Sequence, residues 1–494
     1  HHAEPLLPNT TKQGPIIGVT SPADRRRSLG TVRYATAQDV ELALAQAETA
    51  FAKWNGTDVA TRAASLERAA DLLEERLPYF VALCQAEAGK TLADSVGELR
   101  EAVDFCRYYA LRAREDFTTI ALPGPTGENN RLLREGRGVF VCISPWNFPL
   151  SIFMGQLVAA LVTGNTVIAK PAEQTSLIAH AAVRLLHEAG VPTDVLQFLP
   201  GPGPEIGSAL LADTRVSGVA FTGGTDTAWV INRTLAKRDS PIAAFIAETG
   251  GLNAMLVDSS ALPEQVCADV LSSAFQSAGQ RCSALRLLLV QDDIADTMIE
   301  MLAGAMAELS VGDPALLSTD VGPVIDEDAR RMLLAHSARM EQQARVIHRC
   351  TLPEETQHGT FFAPVAFELE RLEQLEGEVF GPVLHVLRYR RADLDSVIDA
   401  LNARGFGLTF GIQSRIDSTI EYVSRRIRAG NIYVNRNIIG AVVGTHPFGG
   451  MGLSGTGPKA GGPDYLRRFS VEKTITINTT AAGGNASLMT LGEE

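Results

Sequence analysis

The stretch Gly-Val-Phe-Val-Cys-Ile-Ser-Pro at residues 138–145 decides the fold class. It is a short apolar run, rich in strand-forming residues and closed by Ser and Pro, and it predicts a buried β-strand. A helical pattern follows at about 152–163, a strand at 166–170, a helix at about 178–189 and a strand at 195–199. Strands that alternate with helices pair in parallel, and such open sheets bind ligands at the carboxyl ends of their strands. We therefore expect ligand-binding residues after each strand.

The segments on either side extend this α/β pattern. Residues 37–88 and 90–115 repeat apolar side chains at helical spacing, and Thr36 is placed to cap the first helix. Five later apolar runs alternate with helical patterns and predict a second α/β domain; they lie at 254–257, 286–290, 383–386, 407–412 and 431–434. The 494 residues are enough for about three structural units.

Composition and charge exclude several classes of protein. Apolar residues make up 45% of the chain and charged residues 20%, which is typical of a folded protein. Lys and Arg total 44 against 57 Asp and Glu, and the resulting net charge of −13 argues against nucleic acid as a partner. The most apolar stretch, 152–169, is interrupted by Gln156, Gly164 and Asn165, so we expect no membrane span.

The cysteines and the amino-terminal residues indicate where the protein works. Six cysteines are dispersed along the chain, so we predict neither a metal site nor a disulfide framework, and a reducing compartment such as the cytoplasm; they are Cys84, Cys106, Cys142, Cys267, Cys282 and Cys350. His1 and His2 with the short polar segment after them are typical of an expression-tag remnant, and we expect no signal peptide.

One cysteine has surroundings suited to chemistry. Cys282 follows Gly279, Gln280 and Arg281 in a glycine-containing turn. A neighbouring cation lowers the pKa of a thiol, and the thiolate is the nucleophilic form. The alternative is that Cys282, like the other five cysteines, is only a small buried apolar residue.

Seven motifs carry a family resemblance: SPWNFP (144–149), KPAEQT (170–175), FTGGTD (221–226), ETGG (248–251), GQRCS (279–283), EVFGP (378–382) and PFGG (447–450). In order and spacing they resemble the NAD(P)-dependent aldehyde dehydrogenase superfamily, and residues 37–54 resemble that family's first helix. The resemblance covers nearly the whole chain. It implies an α/β aldehyde dehydrogenase fold with a Rossmann-like NAD-binding domain, an α/β catalytic domain and a β-flap that serves oligomerisation.

The resemblance assigns three catalytic roles that the chemistry of aldehyde oxidation requires. A Cys282 thiolate would attack the aldehyde and form the tetrahedral adduct from which hydride leaves. The side-chain amide of Asn147, together with the Cys282 backbone N–H, would bind the oxyanion. Glu248 would be the general base for thioester hydrolysis, and partial burial behind the apolar residues 243–247 would raise its pKa.

The implied cofactor is NAD. Glu173, next to Lys170, would accept both hydroxyls of the adenine ribose and repel the 2′-phosphate of NADP. The pyrophosphate would meet a helix N-terminus after FTGG, where relatives usually carry Ser in place of Gly224. The spacing GxGxxxG at 201–207 is by itself a weak dinucleotide signal. The expected cofactor-binding residues are Ile143, Ser144, Pro145, Trp146, Lys170, Ala172, Glu173, Gly203, Gly207, Phe221, Thr222, Gly223, Gly224, Gly250, Glu378 and Phe380.

The glycine-rich stretch SGTGPKAGGPDYL (454–466) bears on the substrate. It resembles the anchor loop of L-glutamate-γ-semialdehyde (Δ1-pyrroline-5-carboxylate) dehydrogenases, above all those forming the carboxyl-terminal half of bifunctional proline utilization A, and the resemblance extends to 435–437 and 479–484. A flexible surface loop is the alternative.

The anchor-loop resemblance implies a full set of substrate contacts. Gly461 and Gly462 would bind the substrate α-carboxylate through their N–H groups, with the Ser283 hydroxyl, while Phe148 and Phe469 would sandwich the aliphatic chain. Of the remaining expected contacts, Glu101 would lie at the pocket edge and Arg281 would supply positive potential. A fused proline dehydrogenase half is implied for the natural protein, and no FAD is expected in this chain.

The expected organisation is an NAD-binding domain at 1–115 and 138–248, with 447–470 contributing, a catalytic domain at 249–446, and a flap with tail at 116–137 and 471–494. Exposed flap edges favour a homodimer. The implied activity is NAD-dependent oxidation of L-glutamate-γ-semialdehyde to L-glutamate in proline catabolism, through a thiohemiacetal, hydride transfer and thioester hydrolysis. Alternatives are another ω-semialdehyde, such as succinate semialdehyde, and a catalytically silent structural relative.

Overall fold

A computed structural model describes residues 1–10, 12–479 and 481. The helices are α1 Ala37–Asn55, α2 Val59–Glu75, α3 Leu77–Ala88, α4 Leu92–Asp116, α5 Ser151–Val162, α6 Ser176–Glu188, α7 Ser208–Ala212, α8 Thr225–Ala236, α9 Pro263–Phe275, α10 Asp292–Ala307, α11 Glu327–Gln343, α12 Leu394–Ala403 and α13 Asp417–Arg426. The strands are β1 His2–Ala3, β2 Ile16–Thr20, β3 Ser28–Arg33, β4 Ile120–Leu122, β5 Glu128–Gly136, β6 Val139–Ile143, β7 Thr166–Lys170, β8 Leu196–Phe198, β9 Val216–Gly223, β10 Ala244–Thr249, β11 Ala254–Val257, β12 Leu287–Gln291, β13 Arg345–Arg349, β14 Val365–Leu369, β15 Val383–Tyr389, β16 Phe406–Gly407, β17 Thr409–Gln413, β18 Asn431–Val434, β19 Met451–Gly452 and β20 Ser470–Asn478.

The stretch at 138–145 forms β6, the middle strand of a five-stranded sheet with the order β10-β9-β6-β7-β8. All its pairs are parallel, as predicted. Alternate side chains of β6 enter two different cores. Phe140 and Cys142 pack in the cluster that contains α5, whereas Val139 and Val141 pack in the cluster that contains α1. The sheet is therefore covered on both faces, which explains why its sequence is continuously apolar.

The predicted second α/β domain is built on a seven-stranded sheet, with the order β13-β14-β15-β12-β11-β17-β18. The five predicted runs correspond to β11, β12, β15, β16 with β17, and β18, because the run at 407–412 is divided at Leu408. The sequence analysis missed β13 and β14. β13 is an antiparallel edge strand of mostly basic side chains, so it lacks the apolar pattern of a buried strand.

The residues before α1 contribute three strands to the fold, and the interpretation of His1 and His2 as a tag remnant stays a prediction. Strands β1, β2 and β3 form a small sheet in which β1 pairs in parallel with β3. Ala3 is fully buried. The sequence signal for β2 is weak, because Ile-Ile-Gly-Val-Thr is a short run with no apolar alternation and mostly exposed side chains.

The predicted flap segments form an antiparallel sheet with the order β20-β5-β4. β20 pairs with β5 from Ser470 to Asn478 in an unbroken register. Residues 480 and 482–494, which include most of the predicted tail, lie outside the described residues. The segment at 447–470 contributes Tyr465, Leu466 and Phe469 to the first core, as expected for a part of that domain. Within the described residues, no helix is long and apolar enough to cross a membrane.

Candidate active site

Cys282 lies between a 3₁₀ turn, Gln276–Gly279, and strand β12. The turn is unusual because Ser277, Ala278 and Gly279 all have left-handed backbone angles, with φ of 58°, 53° and 64°. The Asn253 side-chain amide donates to the Cys282 carbonyl at 2.7 Å. These contacts fix the backbone that presents the thiol. Cys282 is half-buried, whereas the other five cysteines are buried.

The thiol faces a cavity of about 380 Å³ that brings together residues from distant parts of the chain. Seven expected site residues line it, contributed by both large sheets and by helix α4: Glu101, Phe148, Thr222, Glu248, Arg281, Cys282 and Ser283. The nucleophile and base candidates and several substrate-binding candidates therefore share one chamber.

The pKa of Cys282 is shifted in the direction opposite to expectation. Burial raises it to about 12, and the nearby carboxylates of Glu378, Glu248 and Glu101 raise it as well. The expectation that Arg281 lowers this pKa is wrong, because the Arg281 guanidinium forms an ion pair with the buried Asp94 at 2.6 Å. Its charge is neutralised by Asp94.

Glu248 lies near the end of β10, where the sequence predicted a strand-to-turn junction. Burial raises the pKa of its carboxyl to about 8, which is the predicted direction. Among the described residues, Oε2 accepts the Gly450 N–H at 3.3 Å and Oε1 has no hydrogen-bond partner. Added β-carbons at Gly449 and Gly455 would each lie 3.0 Å from this carboxylate. Glycine at these two positions therefore leaves the space that the Glu248 carboxylate occupies.

Asn147 is buried in the loop after β6, close to the cysteine turn. One amide hydrogen of Asn147 is donated to the Gln280 carbonyl at 3.1 Å. Because Gln280 is two residues before Cys282, this hydrogen bond joins the 144–149 motif to the 279–283 motif.

Phe148 is held between two cations. Lys90 Nζ lies 4.4 Å and the Arg281 guanidinium 5.5 Å from the centre of its ring. Lys90 is itself buried and ion-paired with the buried Glu98 at 2.9 Å. The sequence analysis did not identify Lys90 or Glu98, since neither belongs to a quoted motif. Next to them, burial raises the pKa of Glu101 to about 7.

The expected carboxylate anchor at Gly461 and Gly462 is wrong in this structure. The Gly461 N–H donates to the Tyr109 hydroxyl at 2.8 Å, and the Gly462 N–H donates to the Lys459 carbonyl at 3.2 Å. Both donors are therefore used within the protein, and neither residue lines the cavity. Phe469 is likewise not a substrate contact, because it is fully buried and packs on Phe140 with ring centres 5.0 Å apart.

Three other residues line the cavity where Gly461, Gly462 and Phe469 were expected. Gly440, Ala441 and Phe448 line the cavity. Within the described part of the chain, the N–H groups of Gly440 and Ala441 donate to no protein acceptor. The signal for Phe448 was its place in the PFGG motif. Gly440 and Ala441 follow strand β18 as a pair of small residues, which alone is too weak a pattern to predict a site.

The expected adenosine-binding residues cluster after β7. Glu173 Oε1 accepts the Gly203 N–H at 2.8 Å, and an added β-carbon at Gly207 would contact the Lys170 side chain at 3.8 Å. Ala172 lies between Lys170 and Glu173. The Lys170 ammonium is buried, and the described residues give it one acceptor, the Pro171 carbonyl at 3.1 Å. An ammonium with unused donors beside an exposed carboxylate fits a sugar bearing hydroxyls.

The remaining cofactor candidates lie between that cluster and Cys282. Helix α8 has no side-chain cap at its N-terminal residue, Gly224, so its first N–H groups are available to an anion. Thr222 accepts from Gln156, which in turn accepts from Ser144. Ile143 ends β6 and Pro145 follows it, while Phe221 and Gly223 lie in β9. Trp146 packs against Phe380 with ring centres 5.5 Å apart, and an added β-carbon at Gly250 would clash with Glu378 Oε2. This arrangement fits an extended anionic dinucleotide.

Comparisons with known proteins agree with this geometry. Residues 9–475 match the aldehyde dehydrogenase family. The bifunctional protein PutA of Klebsiella aerogenes is 50% identical over 94% of the chain, which corresponds to 35% of that relative. The chain therefore spans about a third of the length of the bifunctional relatives that it matches.

Two single-function relatives are matched along almost their whole length. The 1-pyrroline-5-carboxylate dehydrogenase of Geobacillus thermodenitrificans is 36% identical over 93% of this chain and 90% of that protein. The crystallised mutant of Thermus thermophilus 1-pyrroline-5-carboxylate dehydrogenase has a TM-score of 0.92 and 32% identity, covering 97% of this chain and 93% of that one.

Proposed function

We propose that this chain, which belongs to the aldehyde dehydrogenase family, oxidises L-glutamate-γ-semialdehyde to L-glutamate with NAD as cofactor. The observation that carries the proposal is one cavity lined by Cys282, Glu248, Ser283 and Phe148, together with Gly440 and Ala441, whose N–H groups have no acceptor within the described residues. The relatives named as 1-pyrroline-5-carboxylate dehydrogenases support it.

Cys282 attacks the aldehyde carbon, and the carbonyl oxygen becomes an alkoxide. Asn147 has a second amide hydrogen beyond the one given to Gln280, and this hydrogen and the Cys282 N–H stabilise the alkoxide. When bound, NAD accepts a hydride from the substrate carbon. The acyl group is then left on Cys282 as a thioester.

Glu248 completes the reaction by activating water. Its carboxylate takes a proton from water as the oxygen attacks the thioester carbon, and the Cys282 thiolate leaves. With a pKa of about 8, Glu248 is a much better base at neutral pH than an exposed carboxylate. The products are L-glutamate, the reduced cofactor and the regenerated Cys282 thiolate, and Glu248 holds the proton taken from water.

The substrate assignment depends on donors to a carboxylate at the far end of the cavity. Gly440 and Ala441 supply N–H groups and Ser283 supplies a hydroxyl, and each hydrogen bond to a charged group contributes about 1.5–3 kcal/mol. Phe148 and Phe448 pack against the aliphatic chain between the two ends. Uncharged aldehydes lack the carboxylate and cannot gain this binding energy.

The preference for NAD over NADP depends on Glu173. A carboxylate at the adenosine end would repel a 2′-phosphate, by about 1–3 kcal/mol for one such pair. Replacing Glu173 with Ser should narrow the difference in kcat/KM between the two cofactors, whereas equal use of both cofactors by the unmodified protein would contradict the assignment.

Measuring cofactor reduction with a panel of aldehydes tests the whole proposal. We expect the highest kcat/KM with glutamate-γ-semialdehyde, and about a hundredfold less with succinate semialdehyde, since a chain one methylene shorter misplaces the aldehyde by about 1 Å. Cys282→Ser should retain cofactor binding and lose turnover. A higher kcat/KM for succinate semialdehyde would favour the other ω-semialdehyde alternative, and no activity with any aldehyde would favour a silent relative.

Two further features belong to this proposal. The flap edges favour a homodimer, and the match to PutA favours fusion to a proline dehydrogenase in the natural protein. Cytoplasmic localisation remains our proposal from the dispersed cysteines. The expected domain boundaries also remain predictions, although the division near residue 248 coincides with the end of β10.

A further inference from the structure

Arg286 is a fully buried cation directly behind the cysteine turn. Its Nη1 donates to the Gly279 carbonyl at 2.7 Å and to the Gly381 carbonyl at 3.2 Å. Its Nη2 donates to the Arg281 carbonyl at 2.9 Å and reaches Glu378 Oε1 at 3.5 Å. One guanidinium therefore joins the 279–283 and 378–382 motifs.

The backbone segments around this cation are in close contact, and they need a shared hydrogen-bond donor to stay in that position. An added β-carbon at Gly279 would lie 2.2 Å from the Gly381 carbonyl oxygen, so the two segments are already in contact. Their carbonyls converge on Nη1, and without a shared donor two buried acceptors would be left side by side. Ser277 and Ala278 just before them are left-handed, a conformation that surrounding contacts must maintain.

We propose that Arg286 is a positioning residue that holds Cys282 in its reactive place, by joining the Gly279 and Arg281 carbonyls, just before Cys282, to the segment that carries Glu378. The inference rests on the proposed function for the role of Cys282, and it assigns Arg286 no contact with substrate. Alteration of Arg286 should therefore affect the chemical step more than binding.

The charge of Arg286 also acts on the thiol. The Cys282 thiolate and the Arg286 guanidinium attract each other, and Arg286 neutralises Glu378. The other groups that face the thiol are Glu248, Glu101 and the Tyr433 phenol, and Glu378, Glu248 and Glu101 all raise the pKa of Cys282. Arg286 is thus paired with Glu378, the carboxylate that raises the pKa of Cys282 most.

A second buried arginine provides a matched control. Arg62 is 5% exposed, and its guanidinium also donates to backbone carbonyls, those of Trp54, Asn55, Thr57 and Val162. It lies in the first domain, away from the cavity. Replacing Arg62 thus has the stability cost of removing a buried guanidinium that binds backbone carbonyls, but it leaves the turn before Cys282 unchanged.

The test compares Arg286→Lys, Arg286→Met and Arg62→Met as full-length proteins, with kcat calculated per folded molecule. We expect kcat to fall about 10- to 100-fold in both Arg286 variants, with KM for aldehyde and cofactor changed less than about threefold. Arg62→Met should keep kcat within about twofold of the unmodified protein. An Arg286→Lys enzyme with unchanged kcat, or an Arg62→Met enzyme that loses as much as Arg286→Met, would overturn the proposal.

Alkylation of Cys282 by iodoacetamide supplies a measurement that needs no substrate. At pH 8, Arg286→Met should react about tenfold more slowly than the unmodified protein, because a thiol without its cation is less ionised, whereas Arg286→Lys should react at a similar rate. An unchanged rate in Arg286→Met would count against the inference. The kcat comparison uses any aldehyde that the protein oxidises, so a wrong semialdehyde assignment leaves both tests valid. If Arg286→Met does not fold, the kcat of Arg286→Lys tests the proposal by itself.

Discussion

At the scale of single residues, the site is defined by acids that burial keeps protonated. Burial raises the pKa of Glu248 to about 8 and that of Glu101 to about 7, and it raises the pKa of Cys282 to about 12. Each group would be more acidic in water, so the cavity itself sets the proton affinities. Glu248 combines a high pKa with an oxygen that accepts from no donor in the described part of the chain.

The first prediction concerns the pH dependence of Glu248. A general base works deprotonated, so kcat should rise with pH and level off above about 8. Glu248→Gln should release a burst of NADH and then turn over slowly, because thioester hydrolysis lacks its base. The exposed Glu264→Gln is the control and should behave like the unmodified enzyme in rapid-mixing experiments. A variant without either burst or steady state would place Glu248 earlier, at removal of the thiol proton.

A second prediction concerns Gly224, where the family resemblance implies Ser. Its φ of −70° suits any residue, and an added β-carbon would meet nothing within 4 Å. Gly224→Ser should therefore fold normally and add a hydroxyl at the N-terminus of α8. We expect KM for NAD to fall about tenfold or more, since a hydrogen bond to a charged group contributes about 1.5–3 kcal/mol and about 1.4 kcal/mol is tenfold. Gly304→Ser, at another open position, should leave KM for NAD unchanged; an unaltered KM in Gly224→Ser would place the pyrophosphate elsewhere.

At the scale of elements, buried ion pairs attach helix α4 to the cavity. Glu98 in α4 accepts the Leu150 N–H at 2.7 Å at the start of α5, and its other oxygen pairs with Lys90 at 2.9 Å. Asp94, one turn earlier, pairs with Arg281 beside the thiol. Helix α4 therefore connects the amino-terminal helices to the loops after β6 and before β12.

The third prediction follows from this attachment. Lys90→Met leaves the Glu98 carboxylate buried without its cation, which should cost about 3–5 kcal/mol and lower the midpoint of urea unfolding. Adding Glu98→Gln should recover part of the loss, because the buried charge is removed while the oxygen that accepts the Leu150 N–H remains. Arg107→Met, which breaks an exposed pair with Glu74, should cost less than about 1 kcal/mol. Equal shifts of the unfolding midpoint in Lys90→Met and Arg107→Met would show that the buried Lys90–Glu98 pair stabilises the protein no more than the exposed pair does.

At the scale of the whole molecule, the cavity is assembled from both large sheets. Glu248 comes from the end of β10 in the five-stranded sheet, and Cys282 precedes β12 in the seven-stranded sheet. The loop after β18 adds Gly440 and Ala441. The flap lies apart, with every β20 residue after Ser470 exposed.

The fourth prediction concerns that exposed strand. Val471, Ile475 and Ile477 lie on one face of β20, an edge strand, and are 38%, 37% and 43% exposed. If the flap joins two subunits, Ile475→Lys with Ile477→Lys should convert the protein to a monomer in analytical ultracentrifugation. Thr474→Lys with Thr476→Lys places the same charges on the opposite face and should have a smaller effect. An Ile475 and Ile477 double variant that remains dimeric would exclude this face of the flap from the interface.

The local part of the fold was readable from the sequence. The ranges of β6, β7, β11 and β18 match their predictions, because apolar runs bounded by turn residues report burial directly. Cys282 and Glu248 were identified through their motifs, and the raised pKa of Glu248 follows from its apolar neighbours. The basic edge strand β13 and the sheet near the first residues were missed, because neither is a continuous apolar run.

The sequence by itself determined the family, the order of strands and helices, and the residue types available for chemistry. Only the tertiary structure decided which of them act on one another. Arg281 is paired with Asp94, 187 residues away, so the cation behind the thiol is Arg286. Gly461 and Gly462 have the composition of an anion site, yet their N–H groups donate to Tyr109 and Lys459, whereas those of Gly440 and Ala441 find no acceptor among the residues that the structure describes. The reason is physical: hydrogen-bond satisfaction and desolvation depend on neighbours in space, which a local motif does not specify.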